Sequence, residues 1–189
     1  MKNYRYKKSF VFSNKAEDVA SVLRSCVEFI EEPKDLIPVQ PELLSRLKWA
    51  VTELLINGAK HANIHQSQLH VSIDEKSLII EREDHGIPLR LTVDNGEKTL
   101  SWPITDFTPG QQFEVYQNGM DSLRIQIYSE DSASFLVLEM EDVEMPQLLI
   151  NTSEHFGLMI IAKSSDAFSY FYDRVDNKNI FRVTFNYMR

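Results

Sequence analysis

The chain has 189 residues and a mass of 22.0 kDa, which suits one domain, or one domain with a sizeable insertion. Its hydrophobic fraction of 43% and charged fraction of 25% are close to globular averages and exclude a wholly disordered chain. The net charge of -8 argues against nucleic acid as the main partner, because phosphate contacts need clustered lysine and arginine.

The first part of the chain predicts a strand, two helices and a strand pair. Aromatic and basic residues mix over residues 4–12, which predicts an edge strand. From Ala16 onward, apolar residues recur every three or four positions, which predicts a helix that ends near residues 31–34. A second amphipathic helix is predicted from Pro41 to about Asn63. Alternating apolar residues then predict strands over residues 68–74 and 77–83.

A polar stripe runs along the second predicted helix. Glu53, Asn57, Lys60 and His61 recur at positions i, i+4, i+7 and i+8, so they lie on one side of the helix. A long amphipathic helix always has a polar face, so the stripe alone does not identify a site.

Two further segments combine glycine with polar residues at element ends. Asp84 and Gly86 lie in a turn directly after the second strand of the pair. Gly157 begins an apolar helix, and strand-like residues 168–173 and 180–187 follow it. A glycine at a helix start lets backbone N–H groups approach an anion such as phosphate.

The middle of the chain differs in charge from the rest. Residues 89–150 contain 3 basic and 11 acidic side chains, which indicates an insertion at about residues 94–150. Within it, residues 123–127 and 134–141 predict a β-hairpin. Two features of this segment keep two explanations each. The acidic cluster of Glu139, Glu141, Asp142 and Glu144 is either a site for a metal or a basic partner or, more commonly, a solvated face. The aromatic residues Trp102 and Phe107 are either an anchor for a partner or part of the core packing.

The patterns of cysteine, histidine and hydropathy narrow the class of protein further. A single cysteine, Cys26, excludes an intramolecular disulfide, and its place on an apolar helical stripe favours a core position. The five histidines are scattered and do not form a zinc pattern. No segment has the length of a membrane span or the features of a signal peptide, so we expect a cytoplasmic protein without a membrane partner.

The order and spacing of the three motifs resemble those of the GHKL ATPase superfamily, the histidine kinase-like ATPases. The string from Glu53 to Ala62 resembles its N-box, Asp84-His85-Gly86 its G1 box, and Gly157-Leu158-Met159-Ile160 the second half of its G2 box. The layout is closest to stand-alone anti-sigma factor serine/threonine kinases, over residues 5–93 and 151–187.

The resemblance implies one domain over residues 1–189, with the acidic insertion at about 94–150. It implies the Bergerat ATP-binding fold, a two-layer α/β sandwich. In this fold, helices pack on one face of a mixed, mostly antiparallel sheet. The predicted hairpin is then an inserted segment.

The resemblance also implies roles for the residues of the helix motifs. Asn57 would bind Mg²⁺ through its side-chain oxygen, and Glu53 would be the catalytic general base of phosphoryl transfer. Gly157 would begin the helix whose first amides face the ATP phosphates, and Lys60 would lie near those phosphates.

The implied base-binding residues are Asp84 and Gly86. Asp84 would accept the adenine amino group, and Gly86 would leave room for the base. Two departures bear on this assignment. Pro88 stands where the G1 box has its second glycine, and His155 stands where the G2 box has its first. These departures favour nucleotide binding over efficient catalysis.

Two functions from different classes therefore remain open. In the first, the protein binds Mg-ATP, phosphorylates a serine of a small antagonist protein and sequesters a partner such as a sigma factor. In the second, it is a non-catalytic interaction module on a degenerate GHKL fold. Homodimers are common among anti-sigma kinases, and no residue of this chain decides that point. The fold is shared by both functions and does not distinguish them.

Overall fold

The computed structural model describes residues 6–33, 40–139 and 155–187. Within them the chain forms three α-helices and ten β-strands. The helices are α1 (Val19–Glu31), α2 (Pro41–His61) and α3 (Phe156–Ser164). The strands are β1 (Tyr6–Ser13), β2 (Gln66–Ile73), β3 (Ser77–Asp84), β4 (Arg90–Val93), β5 (Lys98–Ser101), β6 (Gln112–Asn118), β7 (Asp121–Ser129), β8 (Ser132–Glu139), β9 (Ala167–Asp173) and β10 (Lys178–Asn186).

Eight of these strands form one sheet in the order β1-β2-β3-β10-β9-β8-β7-β6, while β4 and β5 form a separate hairpin. The predicted α/β class with a mostly antiparallel sheet is confirmed. We expected a mixed sheet, but every pair of neighbouring strands in the described part of the chain is antiparallel.

One face of the sheet carries the core. Because side chains alternate along a strand, residues in register across the sheet share a face. One row crosses seven strands with apolar side chains only: Val71, Ile80, Val183, Phe168, Phe135, Ile125 and Phe113. Within this row, the rings of Phe135 and Phe168 stack with centroids 4.4 Å apart. Burial of this row supplies much of the hydrophobic stabilisation of the domain.

The helices contact the sheet at different strands. Helix α1 contacts β1, helix α2 contacts β3 and β10, and helix α3 contacts β7, β8 and β9. Helix α2 buries the predicted apolar stripe, which includes Leu47, Val51 and Leu54. Helices α2 and α3 also pack against each other, and this packing brings the start of α3 to the polar stripe of α2.

Three strands of the middle segment belong to the main sheet. The predicted hairpin is present as β7 and β8, and β8 pairs with β9, so β6, β7 and β8 extend the sheet at one edge. The short strands β4, β5 and β6 were not predicted. Trp102 is 4% exposed and its ring packs edge-on against Tyr170, and Phe107 packs against the same core, so both aromatic residues are core residues here. Glu139 is exposed. The other residues of the acidic cluster, Glu141, Asp142 and Glu144, lie outside the described residues, as does the end of the predicted strand over 134–141.

Candidate functional site

A cavity of about 300 Å³ lies where helix α2, the turn after β3 and the start of α3 meet. All three sequence motifs contribute to its wall through Asn57, Asp84 and His155. Most of the other lining residues are apolar: Leu54, Ala62, Ile87, Pro88, Leu89, Leu91, Leu158, Ile161, Phe168 and Phe181. An apolar cavity with a few convergent polar groups is the usual form of a small-molecule site, and this volume is at the lower end of the typical range of about 300–1,000 Å³.

The start of α3 lies directly against the polar stripe of α2. A Cβ atom built on Gly157 would lie 2.6 Å from Glu53 Oε2 and 3.3 Å from Asn57 Oδ1. Two side-chain oxygens therefore converge on the space that the missing side chain of Gly157 leaves. Both are hard oxygen donors of the kind that Mg²⁺ prefers in proteins. The structure thus brings together Glu53 and Asn57, whose helical spacing predicted it, and Gly157, which only the family resemblance had placed near them.

The half-buried Glu53 carboxyl has an altered proton affinity. Burial raises its pKa above the ordinary value, and the positive charge of Lys60 partly opposes this effect. Lys60 itself is exposed, about two turns further along α2. A carboxyl group with a raised pKa is better suited to take up a proton near neutral pH.

The carboxylate of Asp84 is buried and accepts three hydrogen bonds from neighbouring groups. Its Oδ2 accepts a hydrogen bond from Arg82 NH2 at 2.7 Å, within a buried salt bridge. Its Oδ1 accepts from the backbone N–H of Gly86 at 2.9 Å and from Asn179 Nδ2 at 2.8 Å. Asp84 lines the cavity, but its side chain is only 1% exposed.

The sequence analysis did not predict that Arg82 belongs to the site, although its spacing from Asp84 could have indicated this. Arg82 lies two residues before Asp84 on β3, so both side chains point to the same face of the sheet. The guanidinium packs over the ring of Phe181, with its carbon 4.5 Å from the ring centroid, and NH1 donates to the carbonyl oxygen of Leu54 at 3.4 Å. Burial lowers the pKa of Arg82, and the negative charge of Asp84 opposes that shift.

Asn179 and Tyr170 extend this polar network to the turn after β3. The Tyr170 hydroxyl donates to Asn179 Oδ1 at 2.6 Å and accepts from the backbone N–H of Leu89 at 3.1 Å. Asn179 Nδ2 also donates to the carbonyl oxygens of Gly86 and Ile87, both at 3.3 Å. The network therefore holds the turn against β9 and β10. Both side chains come from strands far along the chain, so no local pattern predicts them.

Gly86 has a packing role that differs from its expected one. A Cβ atom at this position would lie 2.0 Å from the carbonyl oxygen of Ala62, at the end of α2. The glycine therefore leaves room for the protein's own backbone, whereas we expected it to leave room for a base. The neighbouring His85 is exposed, and its Nδ1 lies 3.1 Å from the carbonyl oxygen of Asp176.

In the described parts of the chain, no three histidine, cysteine, aspartate or glutamate side chains are placed to hold a metal ion, and no helix there has the length and apolarity needed to cross a membrane. No protein-family model and no curated protein matches the sequence.

Proposed function

We propose that the protein is an ATP-binding regulatory protein that resembles the anti-sigma factor kinases of the GHKL superfamily. On this proposal, the antiparallel sheet and its helices form a two-layer α/β sandwich of the Bergerat type. The observation that supports it is the convergence of three motifs, far apart in sequence, on one cavity through Asn57, Asp84 and His155. The protein partner of such a regulator would be a sigma factor or a serine-bearing antagonist.

The residues at the junction of α2 and α3 fit a magnesium ion. Asn57 would supply its side-chain oxygen to the ion, and the carboxyl group of Glu53 lies beside it at Gly157. Bound there, Mg²⁺ would neutralise the negative charge of ATP phosphates. The backbone N–H groups in the first turn of α3 would orient those phosphates. Glu53, whose pKa burial raises, would take the proton of an attacking serine hydroxyl or water.

Calorimetric titration of ATP into the full chain tests this proposal. We expect micromolar binding in the presence of Mg²⁺ and at least about tenfold weaker binding with EDTA. Asn57→Ala should remove the part of the ATP affinity that depends on Mg²⁺, because the substitution deletes an oxygen ligand of the ion. Asn118→Ala, at the exposed end of β6 and outside the cavity wall, is the matched control and should bind as the unaltered protein does.

One observation favours the second candidate function, a non-catalytic interaction module. Arg82 already occupies the carboxylate of Asp84, so the group expected to receive adenine is paired inside the protein. On this alternative, the cavity is the remnant of a nucleotide site. Absence of measurable heat at millimolar ATP, with a folded protein, would support the module and contradict nucleotide binding.

A further inference from the structure

The base-recognition group expected for an adenine nucleotide is covered in this protein. A ligand amino group needs an acceptor that it can reach. Asp84 accepts three hydrogen bonds from within the protein, and its side chain is 1% exposed. An adenine amino group in the cavity would therefore meet a carboxylate that is already hydrogen-bonded within the protein and almost completely buried.

Arg82 is held in place on several sides, so it keeps Asp84 covered. Its NH2 bonds to Asp84, its NH1 reaches the Leu54 carbonyl oxygen, and its guanidinium packs over Phe181. Gly58 of α2 lies directly beside it, since a Cβ there would stand 2.5 Å from NH1. Moving Arg82 away would separate two buried opposite charges, which is strongly unfavourable.

Arg82 also changes the hydrogen-bonding character of the cavity wall. It lines the cavity with donors only, and its Nε has no hydrogen-bond partner within the described residues. Adenine presents an amino donor at position 6, whereas guanine and hypoxanthine present an oxygen acceptor there. A donor from Arg82 can pair with the oxygen at position 6 and cannot pair with the amino group.

We propose that the cavity accepts 6-oxopurine nucleoside triphosphates at least as readily as ATP, and that Arg82 determines this specificity. The inference rests on the proposed nucleotide-binding function and names the class of base that the same site takes. In this inference Arg82 covers Asp84, and the site therefore does not select adenine.

The test compares ATP with inosine triphosphate, which differs from ATP only in its six-membered ring edge. Both are titrated calorimetrically into the full unaltered chain in the same magnesium buffer. We expect inosine triphosphate to bind more tightly than ATP or within about fivefold of it. A preference for ATP greater than about fivefold would overturn the inference and leave nucleotide binding intact. Failure of both ligands to bind would overturn the proposed function, and the inference with it.

A variant then tests the role of Arg82. Arg82→Met keeps an apolar stem over Phe181 and exposes Asp84, so the ratio of the two dissociation constants should move toward ATP by about tenfold or more. Arg24→Met is the control, because Arg24 is an exposed arginine of α1 that lies outside the cavity wall. An unchanged ratio in the folded Arg82→Met protein would exclude Arg82 as the determinant. Should that variant not fold, Asp84→Asn decides the role of Arg82: a covered Asp84 predicts an unchanged ratio, and a ratio that moves away from ATP would overturn the covering of Asp84 by Arg82.

Discussion

Gly86 and Ala62 are in direct backbone contact, so that a Cβ atom on Gly86 would stand 2.0 Å from the Ala62 carbonyl oxygen. The contact joins the turn after β3 to the end of α2. These two segments form one side of the cavity, which contains Ala62, Ile87 and Pro88. The glycine is thus needed for the shape of the site even without a bound ligand.

Gly86→Ala should therefore destabilise the protein. The new methyl group meets backbone atoms, which cannot turn aside as a side chain can, and such overpacking costs about 1–3 kcal/mol. Urea denaturation followed by circular dichroism measures the change in the free energy of unfolding. Gly157→Ala is the control, because its Cβ would meet the end of the Glu53 side chain, which can rotate. Equal stability losses in the two variants would contradict this explanation.

Arg46 ties α2 to the segment between α3 and β9. Its Nε donates to the carbonyl oxygen of Ser164 at 3.0 Å, and its NH2 forms a salt bridge with Asp166 at 2.7 Å. Asp166 also accepts from the backbone N–H of Asn186 at 2.7 Å. Because both charged groups are largely buried, Arg46→Ala leaves polar groups without this partner and should cost about 1–3 kcal/mol.

Urea denaturation measures this cost, and Arg24→Ala is the matched control. Arg24 is an exposed arginine of α1, and arginine and alanine have similar helix propensities. The control should therefore change the free energy of unfolding by less than about 0.5 kcal/mol. A loss below that level in Arg46→Ala would show that the salt bridge adds nothing to stability.

The sequence predicted those parts of the fold that local periodicity determines. Helix α2 and the paired strands β2 and β3 follow from apolar spacing, and their bounds agree with the prediction to within about two residues. Strands β4, β5 and β6 were missed because β4 and β5 are four residues long, and β6 contains a bulge between Glu114 and Tyr116 that breaks the alternation.

In the candidate site, too, local spacing could be predicted from the sequence, whereas long-range contacts could not. Glu53, Asn57 and Lys60 could be placed together because helical geometry fixes their spacing. The pairing of β3 with β10, which places Asn179 beside Asp84, is a long-range contact that no local pattern contains. Strand alternation could have placed Arg82 beside Asp84. A buried arginine was not expected, however, because charged residues usually lie at the surface.

Cys26 should be unreactive in the native protein. It is fully buried on α1, and burial raises the pKa of its thiol to about 12, so almost no thiolate forms near neutral pH. We expect no reaction with a chromogenic disulfide reagent at pH 8 in native buffer, and one reacting thiol per chain in 6 M urea. Native protein that reacts faster than it unfolds would contradict the buried position.

Glu53→Gln should stabilise the protein at neutral pH. Burial raises the pKa of the Glu53 carboxyl in the folded state, so the folded state binds this proton more tightly than the unfolded state does. The stabilisation by this proton is complete below the unfolded pKa and is lost as the pH rises through the folded pKa. Glutamine cannot ionise, so the variant avoids that loss.

Differential scanning calorimetry between pH 4 and pH 7.5 measures this effect. The melting temperature of Glu53→Gln should exceed that of the unaltered protein by about 1–3 °C at pH 7, a small rise because solvent screens the half-exposed group. The two melting temperatures should converge as the pH falls toward 4, where glutamate becomes mostly protonated in both states. Glu28→Gln, at an exposed position of α1, controls for the change in net charge. A variant that melts below the unaltered protein at pH 7 would show that the ionised Glu53 carboxylate stabilises the fold, and would leave no raised pKa to explain a role as general base.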